Sequence, residues 1–267
     1  MILNNEIVSE DNLQADNFSG MNAFYEVIRI IDGTPLFFED HIERLKDSLS
    51  TNGFSLRFSE EDLTQKAFRI VNENGLRNCN IKITVYARGC EQVLLMYISK
   101  SYYPGEDVVN QGVKLNLMNF ERTDPQVKRV NPSLREGADK IMMETGAFEV
   151  LLVNRNGYIT EGSKSNVFFI KGHNLYTSPE EFILKGITRK YILETCIKSG
   201  YNVIESMINV NELEQIDGLF ISGTSIKVLP VSSIEGHYYN SSDNAVINEI
   251  RKRFDRFIDE YINEHKV

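Results

Sequence analysis

Lys128-Arg129-Val130-Asn131, then Thr160-Glu161-Gly162-Ser163 with Ser165-Asn166 behind it, then Leu184-Lys185-Gly186-Ile187-Thr188-Arg189 follow one another from the middle of the chain onward. They present, in order, an amine, a carboxylate and a helix opened by glycine. Lys128 lies between a strand pattern and a helix pattern, close to Pro125 and Pro132, in the kind of loop backbone where functional groups concentrate. Glu161 ends a hairpin arm. Gly186-Ile187-Thr188 opens a helix whose first main-chain N–H groups lack partners, and those donors together with the helix dipole favour an anion. Each piece alone is ordinary: most lysines are exposed, most turn carboxylates are solvated, and most helix starts hold nothing. The ordered set carries the reading.

Working outward, Phe24 to Ile31 reads as a strand closed by Asp32-Gly33-Thr34-Pro35, with Leu36-Phe37-Phe38 as a second short arm. Asp40 is placed to cap a helix with Ile42, Leu45 and Leu49 on one face, and Arg44 rides on that helix. Ser59-Glu60-Glu61-Asp62 opens another, striped by Leu63, Ala67, Ile70 and Val71. Ile81 to Ala87 and Val93 to Ser99 form a strand pair around Gly89. The first twenty residues or so show no clear pattern, so a leading N-terminal strand is hard to find. Tyr102 to Asp107 breaks the periodicity and reads as a linker.

Beyond it come a strand at Val113 to Met118, a helix at about Ser133 to Thr145 stopped by Gly146, and a hairpin turning at Asn156-Gly157. A strand follows at Asn166 to Ile170. A helix then runs from Gly186 to about Ser199 with Ile187, Tyr191, Ile192 and Cys196 inward, and a last helix spans about Asn244 to Glu264. Gly223-Thr224-Ser225 is a second hydroxyl-rich turn, after the apolar Leu219-Phe220-Ile221. Strands and helices mix in both halves, which predicts an α+β architecture of two domains: a small one over 1–104 and a larger one over 105–267.

At 267 residues, 42% hydrophobic and 25% charged, the chain can bury a real core. A net charge of −9 argues against nucleic acid or an anionic membrane surface as partner. The three cysteines and four histidines fall into no disulfide or metal-ligand spacing. Met1 to Glu6 has neither the basic start nor the apolar run of a secretion signal, and no segment reaches the ~20 apolar residues of a membrane span. The expectation is a cytoplasmic protein in a reducing compartment.

An amine able to condense with an aldehyde, a carboxylate able to meet a pyridine nitrogen and a helix start able to take a phosphate are together what pyridoxal 5′-phosphate requires. The resemblance then becomes specific. Phe24-Tyr25-Glu26-Val27-Ile28-Arg29 and His41-Ile42-Glu43-Arg44-Leu45 resemble the N-terminal signature of the class IV (fold type IV) pyridoxal-phosphate aminotransferases. That family includes branched-chain and D-amino-acid aminotransferases and aminodeoxychorismate lyases. Thr160 to Ser163, Ser165-Asn166, Gly186 to Arg189, Gly223-Thr224 and Pro230-Val231 resemble its C-terminal signature. The similarity spans about residues 21 to 236, and the 33 positions between Lys128 and Glu161 fall within the family's separation.

The resemblance implies that Lys128 is the Schiff-base lysine and the acid/base of the reaction, and that Glu161 binds the ring nitrogen. It implies that Arg44, the N–H groups of Ile187 and Thr188, and the Thr224 hydroxyl hold the phosphate. Tyr25, Lys82 and Ser225 are implied to contact substrate. It further implies a homodimer acting on an amino acid and a 2-oxo acid. Substrate signals diverge. Lys128-x-x-Asn131 is similar to the D-amino-acid enzymes and the lyases, and Ser133 stands where branched-chain enzymes carry tyrosine. Cys90-Glu91-Gln92 after Arg88-Gly89 lacks the D-enzymes' arginine-x-histidine. Transamination is the leading expectation. Lysis of 4-amino-4-deoxychorismate to pyruvate and p-aminobenzoate is the alternative, and a non-catalytic, anion-binding dimer on the same fold is a third.

Overall fold

The computed structural model describes residues 1–9 and 18–265. The chain forms an α+β fold of two units, each with its own sheet. The first takes the described residues of Met1–Ser101, Val127–Val130 and Ile258–Val267; the second takes Tyr102–Gln126 and Asn131–Phe257. The chain therefore passes between units at 101/102, 126/127, 130/131 and 257/258.

The first unit contains β1 (Ile2–Leu3), β2 (Glu6–Ile7), β3 (Asn22–Ile31), β4 (Thr34–Pro35), α1 (Phe38–Ser50), α2 (Glu60–Glu73), β5 (Cys79–Arg88) and β6 (Glu91–Ser99). Its antiparallel sheet runs β2-β1-β6-β5-β3-β4 among the described residues. Strand alternation sends Phe24, Ile28, Ile30, Ile81, Ile83 and Val85 into one core with Ile42, Leu45 and Leu49 of α1 and Leu63, Ala67 and Ile70 of α2. Each of the larger of these side chains, fully buried, contributes about 2 kcal/mol. Ser59 caps α2 as its sequence predicts, its Oγ accepting from Asp62 N at 3.1 Å.

Two expectations are corrected here. Leu36-Phe37-Phe38 is not a strand arm and Asp40 is not the cap of α1. Phe37 adopts a left-handed conformation (φ 54°, ψ 41°), and the helix begins at Phe38, leaving Asp40 in its first turn. A left-handed phenylalanine costs backbone energy that no local pattern announces. It persists because Phe37 is buried against the ring of Tyr261, 4.7 Å away. The N-terminal strand does exist: Ile2 pairs with Met96 and Leu3 with Leu95. Two residues are too few to display a period. Part of that patternless start, residues 10–17, lies outside the described residues.

The second unit contains α3 (Glu106–Gln111), β7 (Val113–Asn119), α4 (Pro132–Thr145), β8 (Glu149–Val153), β9 (Tyr158–Gly162), β10 (Asn166–Lys171), β11 (Asn174–Thr177), α5 (Ile187–Lys198), β12 (Asn202–Glu205), β13 (Ile208–Asn209), β14 (Gly218–Gly223), β15 (Lys227–Ile234) and β16 (His237–Tyr238). The final helix, α6 (Ala245–Glu264), starts in this unit. The sheet runs β12-β11-β10-β14-β15-β7-β8-β9-β13, with β16 on β15. It is mixed, with β7 parallel to both β15 and β8. Asn131 caps α4 through its Oδ1 to Leu134 N at 3.1 Å, Pro132 takes the first helical position, and Gly146 (φ 68°) ends it. The Asn156-Gly157 hairpin forms as expected, with Gly157 at φ 80° and Asn154 Oδ1 accepting from Asn156 N and Tyr158 N. Among the described residues, no helix is long and apolar enough to cross a membrane. Nor does any group of three His, Cys, Asp or Glu among them have the arrangement of a metal site.

Candidate active site

In the first unit the segment 127–130 lines the edge of β3. Tyr25 N donates to Lys128 O (3.1 Å), Val130 N donates to Ala23 O (2.9 Å), and Lys128 N donates to Ser48 Oγ of α1 (3.1 Å). A loop lysine thus has its backbone fixed to both strand and helix. Its ammonium sits 4.8 Å from the centroid of the Tyr25 ring, and the Lys82 ammonium from β5 sits 4.7 Å from the same ring. The structure therefore brings together Tyr25, Lys82 and Lys128, three of the residues predicted from sequence.

Glu26, next to Tyr25, points to the opposite face of β3. It is fully buried and anchors a charged cluster within the apolar core. Arg44 holds it in a fork, Nε to Oε1 at 2.8 Å and Nη2 to Oε2 at 2.6 Å, and His41 Nδ1 lies 2.7 Å from Oε2. Burial pushes the Glu26 carboxyl up, but the Arg44 charge and hydrogen bond, aided by His41, outweigh it and hold it down at about 2. Burial drives His41 below its ordinary value; Glu26 opposes this, while the charges of Arg44 and Lys128 add to it. Glu26 and His41 lie within the quoted motifs but outside the candidate site residues, although alternation along β3 puts Glu26 among the inward positions.

These shifts set a pH dependence. Both folded-state values lie below the unfolded ones, so the unfolded chain binds more protons and stability falls with acid. Loss begins below about pH 6.5 as His41 protonates in the unfolded chain alone. It then deepens from about pH 4.5 down to about pH 2 through Glu26, by about 3 kcal/mol. Urea unfolding across this range should show both stages, with the lower one missing in Glu26→Gln. A flat profile would refute this account of the cluster.

In the second unit Glu161, on β9, is buried. Its Oε2 accepts from Leu184 N at 3.1 Å and from Asn166 Nδ2 at 3.4 Å, and Asn166 Nδ2 also donates to Leu184 O at 3.0 Å. Arg122 Nε lies 2.9 Å from Glu161 Oε1, an ion pair by distance rather than by hydrogen-bond alignment. Sequence reading missed Arg122, and a partner 39 positions away leaves no local trace. Gly186 must be glycine: a Cβ there would fall inside the Asn166 carboxamide. That close approach sets the start of α5 beside the Glu161 group. Gly186 provides no side-chain cap, and Ile187 and Thr188 are both buried. Thr224 and Ser225 lie on the turn between β14 and β15. A Cβ at the adjoining Gly223 would be 3.6 Å from Lys164 O, so this turn adjoins the one that follows Glu161.

The residues fit a phosphorylated pyridine. Glu161 offers a buried carboxylate backed by a cation, and the uncapped start of α5 offers N–H donors. Ser222, opposite Asn166 in the β14–β10 register, has a buried hydroxyl without a hydrogen-bond partner among the described residues, ready for a further polar group.

A family profile described as amino-transferase class IV matches residues 23–234. The D-alanine aminotransferase of Bacillus licheniformis is 32% identical over 233 residues, covering 82% of this chain and 81% of that one. Among solved structures, the branched-chain amino acid aminotransferase of Escherichia coli superposes with a TM-score of 0.85 at 22% identity, over 95% of this chain and 92% of the other. A 4-amino-4-deoxychorismate lyase candidate from Legionella pneumophila superposes with a TM-score of 0.78 at 23% identity, over 88% and 90%.

Proposed function

The chain belongs to the class IV aminotransferases, and from that premise we propose that it moves an amino group between an amino acid and a 2-oxo acid on pyridoxal 5′-phosphate anchored at Lys128. The observation that carries this reading is the immobilised Lys128 backbone with its ammonium against Tyr25. A lysine that must take a proton from one carbon atom and place it on another needs such a fixed base. When bound, the cofactor supplies the aldehyde that receives the amino group and the ring that takes up the electron pair left at Cα.

The chain's own residues do the rest. Lys128 would take the proton from the substrate's Cα and place it on the cofactor's C4′ carbon, across the intervening nitrogen. Glu161, steadied by Arg122 and the Leu184 amide, keeps a proton on the ring nitrogen. The Ile187 and Thr188 amides and the Thr224 hydroxyl hold the phosphate, and Arg44, forked to Glu26, adds its charge. Tyr25, Lys82 and Ser225 orient the substrate, with Lys82 directed to a carboxylate. The reading includes a homodimer and a cytoplasmic location. D-Alanine and the branched-chain amino acids, named in the relatives, are the first amino donors to try.

Incubation with pyridoxal phosphate, borohydride reduction and peptide mapping should place the adduct on Lys128. Absence of any adduct would remove the proposal. With the adduct found, amino donors offered with a 2-oxo acid should yield the new amino acid. Release of p-aminobenzoate from 4-amino-4-deoxychorismate, without such transfer, would assign the lyase reaction instead.

A further inference from the structure

Glu149, the first residue of β8, is a buried acid with no part in the chemistry above. It is 4% exposed, and its four hydrogen-bond partners among the described residues are all neutral. Oε1 accepts from Val150 N at 2.8 Å and from Ser163 Oγ at 2.7 Å; Oε2 accepts from Lys164 N at 3.0 Å and Ser165 Oγ at 3.2 Å. Four donors match the roughly four lone-pair sites of a carboxylate. Three of them come from consecutive residues of the turn that follows Glu161.

That turn is held from its other side as well. Arg122 Nη2 and Arg135 Nη2 both donate to Ser163 O, at 3.3 and 3.4 Å. Ser163 N bonds to Val150 O at 3.0 Å, and Gly162 N to Ser165 O at 2.7 Å. A Cβ on Gly162 would overlap Ser165 Oγ and lie 3.3 Å from Glu149 Oε2, so the turn closes tightly over the acid. Ser163 is the shared element: its hydroxyl meets Glu149, and its carbonyl meets the same Arg122 whose Nε faces Glu161.

We propose that Glu149 is a positioning residue for Glu161, fixing through the Ser163–Ser165 turn and Arg122 the place where the ring nitrogen's carboxylate stands. This rests on the reading that Glu161 serves that nitrogen. Burying a carboxylate under a turn would be a poor way merely to hold the turn, because the desolvation is large. An acceptor-only group does what an amide cannot, taking two hydroxyls and two main-chain N–H groups at once.

Glu149→Gln keeps the size and turns an NH2 toward donors. In wild-type protein loaded with pyridoxal phosphate, the lysine-linked chromophore gives an absorption band to be titrated with pH. With Glu161 displaced, the ring nitrogen loses its proton and with it a positive charge, so the chromophore keeps its own proton to higher pH. The expected results are a titration midpoint raised by about one unit and a cofactor dissociation constant raised about tenfold. The melting temperature of the cofactor-free proteins serves as the fold control. A variant that melts lower but titrates and binds like wild type overturns the proposal, leaving Glu149 a structural residue. A wild-type protein with no such band overturns the function reading itself, and this proposal with it. Should Glu149→Gln fail to fold, Ser163→Ala, which deletes one turn hydroxyl, is read by the same titration with the same two outcomes.

Discussion

Lys128→Ala is expected to eliminate the borohydride-trapped adduct and to lower turnover by about 10⁴-fold, the upper range for loss of a positioned acid/base. Two roles vanish with one ammonium: the covalent anchor, and the base that moves the Cα proton. The effect can be separated from unfolding because what holds this segment is main chain. The bonds from Tyr25 N to Lys128 O and from Lys128 N to Ser48 Oγ survive truncation to alanine. The ring contact that the truncation removes is worth about 0.5–1 kcal/mol. The melting temperature should therefore stay within a few degrees while turnover collapses. Retained turnover, or an adduct moved to another lysine, would show that Lys128 is not the anchor.

The second large effect concerns stability. Arg44→Met strands the Glu26 carboxylate in the core with only His41 beside it. Removing one partner of a buried pair typically costs about 3–5 kcal/mol, because the remaining charge is left uncompensated. Against a total stability of about 5–15 kcal/mol, that is enough to unfold much of the protein at moderate temperature. Combining it with Glu26→Gln removes the stranded charge and should recover a good part of the loss. A double variant no more stable than Arg44→Met would mean that the cluster's contribution is packing rather than charge. The coupling is best measured by urea unfolding at about pH 7.5, above the His41 stage of the acid profile.

What could be read in advance was what repeats or what caps. The alternation along β3, the apolar stripes of α1 and α2, the Ser59 cap, the Asn156-Gly157 turn and the Gly146 stop all act within a few residues, so their physics is visible locally. Strand, helix and turn boundaries came within a few residues for that reason. The contacts that decide geometry at long range were not visible. Arg122 reaches Glu161 from a loop, and Glu149 reaches Ser163 across a hairpin, contacts that no local periodicity announces. Gly186 was recognised as a helix opener, but the tighter constraint, the Asn166 carboxamide against its Cα, comes from the neighbouring strand. Phe37 is the opposite case: its left-handed backbone contradicts local preference, and an aromatic partner more than two hundred positions away accompanies it. Glu26 stands between these extremes: alternation along β3 puts it inward, while a carboxylate is rarely buried unless it is paired.

The division of the chain has a consequence for biosynthesis. The first unit is not finished when Ser101 leaves the ribosome. It still lacks the strip carrying Lys128, and it lacks the stretch from Ile258 onward, where Tyr261 supplies the ring against Phe37. At a translation speed of about 5–20 residues per second, the nascent N-terminal sheet waits many seconds for its last piece. Meanwhile the second unit has nearly all its own sequence. Synthesis therefore completes the later-encoded unit before the earlier one, and a chain cut short before Ile258 would lack the ring that Tyr261 sets against Phe37.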